Sequence, residues 1–137
     1  MSTLTIYTDG GARGNPGPAG IGVFISGDGV DEHIGETIGV ATNNVAEYSA
    51  VLRAVDQIIS LQGNHTITNL KFFLDSELVQ RQLIGQYKVK DATMQQFHRQ
   101  ILSKLKELGL PYSFTHVRRE LNTVADALYN AALDANR

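Results

Sequence analysis

Hydrophobic positions recur along the chain with two different periods. Leu4 to Thr8 is a short apolar and β-branched run that stops at Asp9-Gly10-Gly11, which predicts a central strand. Gly10 to Gly20 carries Gly or Pro at nearly every other position and reads as a loop. Ile21, Val23 and Ile25 alternate, Ser26-Gly27-Asp28-Gly29 predicts a hairpin turn, and a more polar strand runs to about Val40, its Glu and His content fitting a sheet edge. The period then changes. Val51, Ala54, Val55, Ile58 and Leu61 fall on one helical face between about Val45 and Leu61, with Asn43-Asn44 offering a cap and Gly63-Asn64 an end. Leu70 to Leu74 (LKFFL) predicts a strand buried on both faces. Ser76 can cap a short helix carrying Leu78, Val79, Leu83 and Ile84, stopped by Gly85. Thr93 to Leu108 predicts a longer amphipathic helix closed by Gly109 and Pro111. Tyr112 to Val117 is a last strand, and Asn122 or Thr123 caps a final helix with Ala125, Leu128, Ala132 and Leu133.

The predicted order is β-β-β-α-β-α-α-β-α. A meander followed by α/β alternation gives an α/β fold, a five-stranded mixed sheet with helices on both faces. The 137 residues make one domain, 1–137, with no repeat, linker or low-complexity tract. A chain of this length buries roughly two-thirds of its unfolded surface, enough for a core. The absence of cysteine excludes disulfides and thiolate metal sites. The start lacks the pattern of a signal peptide, and no apolar stretch approaches a membrane span. The expectation is therefore a cytoplasmic protein, with no membrane and no obligatory protein partner, acting as a monomer.

The acidic residues change the picture. Asp9 and Asp75 each follow an apolar strand, so parallel neighbours would bring both to the same end of the sheet. Glu47 shares a helical stripe with Val51, Ala54 and Ile58 and so points inward. Asp126 opens the last helix, with Tyr129, Asn130 and Leu133 on its side. Each acid alone fits a turn or a helix dipole. Together they describe one four-carboxylate site, in which charges 4 Å apart would repel by about 4 kcal/mol at an effective dielectric of 20. Divalent cations relieve that repulsion, and an all-oxygen set suits Mg²⁺ or Mn²⁺ rather than Zn²⁺. The net charge of −2 argues against a nucleic-acid binder, but it becomes +2 once the four acids are set aside. The Gly-rich segment lacks Gly-Lys-Ser/Thr, and His33, His65, His98 and His116 show no zinc-binding spacing.

At these residues the chain resembles the type 1 ribonuclease H family over nearly its whole length. The resemblance rests on Tyr7 to Gly20 (YTDGGARGNPGPAG), Thr42 to Tyr48 (TNNVAEY), Asp75-Ser76, and Arg119 to Asp126 (RELNTVAD), in that order and spacing. It implies the ribonuclease H-like mixed sheet and a two-metal endonuclease acting on RNA–DNA hybrids. Water would attack the RNA phosphate in line, leaving 3′-hydroxyl and 5′-phosphate ends. Carried over residue by residue, Asp9, Glu47, Asp75 and Asp126 are the catalytic metal ligands. Ala12, Asn15 and Asn43, with Glu77 beside them, match positions where the RNA strand is read through its 2′-hydroxyls, and Gly10, Gly11 and Ser76 are further substrate-binding positions. Thr42 and Asn44 match positions facing the DNA strand. A proton-transfer or product-release role falls to His116 or Arg119, and the sequence leaves the two open. The chain lacks the basic, Trp-containing protrusion of some relatives, which implies salt-sensitive binding. Another nuclease of the superfamily and a catalytically silent hybrid-binding module remain the alternatives.

Overall fold

The computed structural model describes residues 2–136. Five strands form one mixed sheet: β1 (Thr3–Ala12), β2 (Gly17–Gly27), β3 (Val30–Ala41), β4 (Asn69–Leu74) and β5 (Tyr112–His116). Their order across the sheet is β3-β2-β1-β4-β5. The first three form an antiparallel meander, while β4 runs parallel to both β1 and β5. Among the described residues there are four α-helices, α1 (Asn43–Leu61), α2 (Glu77–Leu83), α3 (Ala92–Leu108) and α4 (Thr123–Ala135), with a 3₁₀ turn at Arg119–Leu121 before the last. The expected order of elements and the mixed sheet are both present.

One face of the sheet carries Leu4, Ile6, Val23, Ile25, Leu70, Phe72 and Leu74 against α1 and α3, and this is the main core. Helix α4 packs on the other face, over β1, β2 and β3. The burial of β1 records where that cover begins. Residues alternate between half-buried and buried from Thr3 to Thr8, then Thr8 to Gly11 are buried without a break. Asp9 thus lies on β1 where helices cover both faces.

Four expectations are corrected. The stretch Gly10–Gly20 is not one loop: Gly10, Gly11 and Ala12 pair with Ile21, Gly20 and Ala19, so only residues 13–16 connect the strands. Gly14 and Gly17 serve the turn, whereas Gly10, Gly11 and Gly20 admit the helices. A Cβ on Gly22 would lie 2.0 Å from the Ala125 carbonyl oxygen, and one on Gly10 would lie 2.3 Å from that of Ala46. Second, β4 is buried on one face only. Lys71 is exposed and Phe73 half-buried, because α4 does not extend over β4. The open part of that face is closed by an aromatic row, Phe73 on Tyr7 (5.0 Å), Tyr7 on Phe24 (6.3 Å) and Phe24 against His33 (4.7 Å).

Third, the cap of α1 is Thr42, whose Oγ1 accepts from the Val45 N–H at 3.2 Å, and not Asn43 or Asn44. The Asn43 side chain is engaged elsewhere, accepting from the Ala12 N–H. Fourth, Asn122 occupies the cap position of α4 without capping it. Its Nδ2 donates to the Thr8 carbonyl at 2.8 Å and ties the start of α4 to β1. Ser76 does cap α2, accepting from the Val79 N–H.

Candidate active site

The parallel register of β1 and β4 ends at Thr8 opposite Leu74. Asp9 and Asp75 are the residues that follow this last pair, so two neighbouring strands deliver carboxylates to one end of the sheet. Glu47 reaches that end from α1, and its buried stripe includes Val51, Ala54 and Ile58. Asp126 comes from the first turn of α4, on the opposite face. Its backbone N–H donates to the Asn122 carbonyl, the same residue that grips β1 beside Asp9.

One carboxylate oxygen from each of Asp9, Glu47 and Asp75 lies within 4.8 Å of the other two. Asp126 stands outside that tight group but lines the same cleft of about 270 Å³. Asp9 is 4% exposed and Glu47 7%. Burial pushes the Asp9 carboxyl up to about 7, and the charges of Asp75 and Asp126 push the same way. A hydrogen bond with Glu47 and the Gly10 N–H, donated at 2.9 Å, act against this. Glu47 is raised well above the ordinary carboxylate range, first by burial and then by Asp9 and Asp75.

Glu47 Oε2 and Asp75 Oδ2 are buried and have no hydrogen-bond partner. Buried carboxylate oxygens without donors are costly. A close, acceptor-only oxygen set with orphaned lone pairs suits a hard divalent cation, with Asp9, Glu47, Asp75 and Asp126 as the donors available to hold one.

The remaining expected positions divide by location. Gly10, Gly11, Asn43, Asn44, Ser76 and Arg119 line the same cleft. A second hollow of about 570 Å³ adjoins it, sharing Asn43 and Asn44 and adding Asn15 and Thr42. Ala12, Asn15 and Asn43 form a relay. The Ala12 N–H donates to Asn43 Oδ1 at 2.8 Å, and the Asn43 N–H donates to Asn15 Oδ1 at 2.9 Å. Both amide nitrogens are thereby left as donors at the surface. Glu77 is not at the cleft; its carboxylate accepts from Arg81 one turn along α2, at 3.0 Å. His116 ends β5 as an exposed side chain and does not line the cleft, whereas Arg119, in the 3₁₀ turn before α4, does.

Tyr129 is a cleft residue that sequence reasoning did not single out. Its hydroxyl sits over Gly11, where a Cβ would lie 2.7 Å away. Burial and then the charges of Asp9 and Asp126 raise its pKa, so its hydroxyl stays protonated. The available signal was its position three residues after Asp126, on the same helical side, facing a strand of glycines.

Residues 7–132 match the reverse transcriptase-like family model. The chain is 40% identical over 133 residues to a ribonuclease HI of Halobacterium salinarum, covering 93% of this chain and 63% of that protein. It is 36% identical over 138 residues to a bifunctional protein of Mycobacterium tuberculosis, of which it spans 36%. Among solved structures, LC11-RNase H1 in complex with an RNA/DNA hybrid matches with a TM-score of 0.90 at 41% identity, covering 97% of this chain and 98% of that one. RNase H1 from Halobacterium salinarum matches with a TM-score of 0.87 at 38% identity, over 97% and 98%. With both its sequence and its five-stranded sheet matched along almost their full length, the chain belongs to the reverse transcriptase-like family and, within it, to the ribonucleases H1.

Proposed function

We propose that this protein is an endoribonuclease that hydrolyses the RNA strand of RNA–DNA hybrids, using Mg²⁺, or Mn²⁺ in its place, held by Asp9, Glu47, Asp75 and Asp126. The observation that carries the reading is the convergence of three carboxylates within 4.8 Å, two of their oxygens buried without partners, beside a surface of amide donors. The likeness to a ribonuclease H1 structure that holds an RNA/DNA hybrid supports the choice of substrate.

Two divalent ions, when bound, stabilise the attacking and leaving oxygens of an in-line displacement at phosphorus. The chain's own groups do the rest. Asp9 and Glu47 share protons between them when no cation is present and act as anionic ligands when one is. Arg119 places a cation at the mouth of the cleft, where a phosphodiester enters. In this reading Arg119 takes the assisting role that the sequence left open between it and His116. Asn43, Asn15 and the Ala12 backbone face the RNA 2′-hydroxyls, and a DNA strand offers no such donor and acceptor. Thr42 and Asn44 face the DNA strand, and Ser76 completes the RNA side. Products carry 3′-hydroxyl and 5′-phosphate ends. The proposal includes a single working domain acting as a monomer in the cytoplasm; light scattering and cell fractionation test those two properties.

The experiment is cleavage of an end-labelled RNA–DNA hybrid beside matched RNA–RNA and DNA–DNA duplexes, with Mg²⁺ and with chelator. Internal cuts confined to the RNA of the hybrid, and absent with chelator, are expected. Cleavage of DNA would assign another nuclease activity, and binding without cleavage would assign a hybrid-binding module.

A further inference from the structure

We propose that Arg13 is a positioning residue that clamps the four-residue turn between β1 and β2 to α4, so that the turn and the helix bearing Asp126 present themselves to the substrate as one body. The inference rests on the reading above, in which Asn15 on that turn faces the RNA strand.

The turn is braced toward α1 by the Ala12–Asn43–Asn15 relay. Its second brace runs the other way. Arg13 Nη1 pairs with Asp134 Oδ1 at 2.7 Å, and Nη2 donates to Asn130 Oδ1 at 3.2 Å and to the Asn130 carbonyl at 3.4 Å. The Asn130 amide in turn donates to the Asp126 carbonyl at 3.0 Å. Two sets of hydrogen bonds, joined by the backbone of the turn, therefore link Asn43 on α1 to the Asp126 carbonyl on α4. The two helices lie on opposite faces of the sheet, and the link joins them around the end of β1 and β2.

The turn itself is closely wound. The Arg13 N–H donates to the Pro18 carbonyl at 2.8 Å, and a Cβ on Gly17 would lie 2.1 Å from the Arg13 carbonyl oxygen. The Arg13 and Asp134 side chains are 38% and 58% exposed. A pair that open to water contributes little stability. What the planar guanidinium supplies is direction, because its fork engages three acceptors on one helical turn. Removing it leaves the turn held from the α1 side alone, and hybrid must then order the turn as it binds.

The test compares wild type with Arg13→Met, which keeps the stem, and Arg13→Lys, which keeps the charge but not the fork. Steady-state cleavage of hybrid is read together with hydrogen exchange of the Ala12 and Asn43 amides. For Arg13→Met, KM rises about 5- to 10-fold with kcat within about twofold, the two amides exchange faster, and the melting temperature barely moves. Arg13→Lys restores only part of the KM. An unchanged KM, unchanged exchange, or a parallel fall of kcat and melting temperature overturns the clamp. If wild type cuts no hybrid, the parent reading fails, and the exchange measurement still decides whether Arg13 holds the turn.

Discussion

Replacing Asp9 by Asn removes one ionisable group from a site that repels itself when no cation is bound. The Asp9 carboxyl is raised from 3.8 to about 7 in the folded chain. A group whose folded pKa is raised contributes stability that is present below its unfolded pKa and is lost as pH rises through the folded value. The window here runs from about 4 to about 7. Above it, the ionised carboxylate costs the metal-free fold about 4 kcal/mol, falling to about 2 kcal/mol at pH 5. Asn cannot ionise and escapes this cost; the Gly10 N–H bond to the carboxylate is already contained in the folded value of about 7. The net gain for Asp9→Asn in chelator is then about 4 kcal/mol at pH 8 and about 2 kcal/mol at pH 5. For a domain of this length that corresponds to melting temperatures higher by about 14 °C and about 7 °C. Differential scanning calorimetry of both proteins at the two pH values, in chelator, measures the gap. Saturating Mg²⁺ narrows it, because wild type gains about 3 kcal/mol at a hundredfold excess over Kd while the variant has lost a ligand. A variant no more stable than wild type at pH 8, or a gap equal at both pH values, would refute the reasoning.

Three further outcomes follow from the packing. Gly11→Ala places a Cβ 2.7 Å from the Tyr129 hydroxyl and pushes the ring out of the cleft; kcat/KM on hybrid falls at least ~10-fold, with about 1–3 kcal/mol lost in urea unfolding. Gly22→Ala meets the Ala125 backbone at 2.0 Å, lifts α4 from β2, and costs about 3 kcal/mol or more in the same assay. Asn43→Ala leaves the Ala12 N–H without its acceptor, and the preference for hybrid over DNA duplex, read as a ratio of Kd values, drops about 10-fold.

The legibility of the fold followed the periodicity. Glu47 was read as inward because Val51, Ala54 and Ile58 share its stripe, and the structure buries all four. Asp9 and Asp75 were placed at one end of the sheet because each follows an apolar run, and the parallel pairing of their strands does stop at the residue before each acid. The failures came where a residue's purpose lies in another element. Glycine signals both turns and close packing, and only the position of α4 reveals that Gly22 serves packing. The strand LKFFL has the composition of a doubly covered strand, but its cover on one face is an aromatic row supplied by β1 and β2. Asn122 is a sound helix cap by composition, and the Thr8 carbonyl claimed its side chain instead. Tyr129 was placed on the Asp126 side of its helix but not read as a cleft residue, because its relevance depends on Gly11, far away in sequence.

The most direct test of the account is cleavage of a hybrid labelled on its RNA strand, by wild type and by Asp75→Asn, in Mg²⁺ with the product ends analysed. The account predicts internal cuts leaving 3′-hydroxyl and 5′-phosphate ends in wild type, and a loss of at least ~100-fold in a variant that keeps its fold by circular dichroism. Full activity of Asp75→Asn, or cuts that persist in chelator, would contradict the central claim that these carboxylates and their cations perform the reaction.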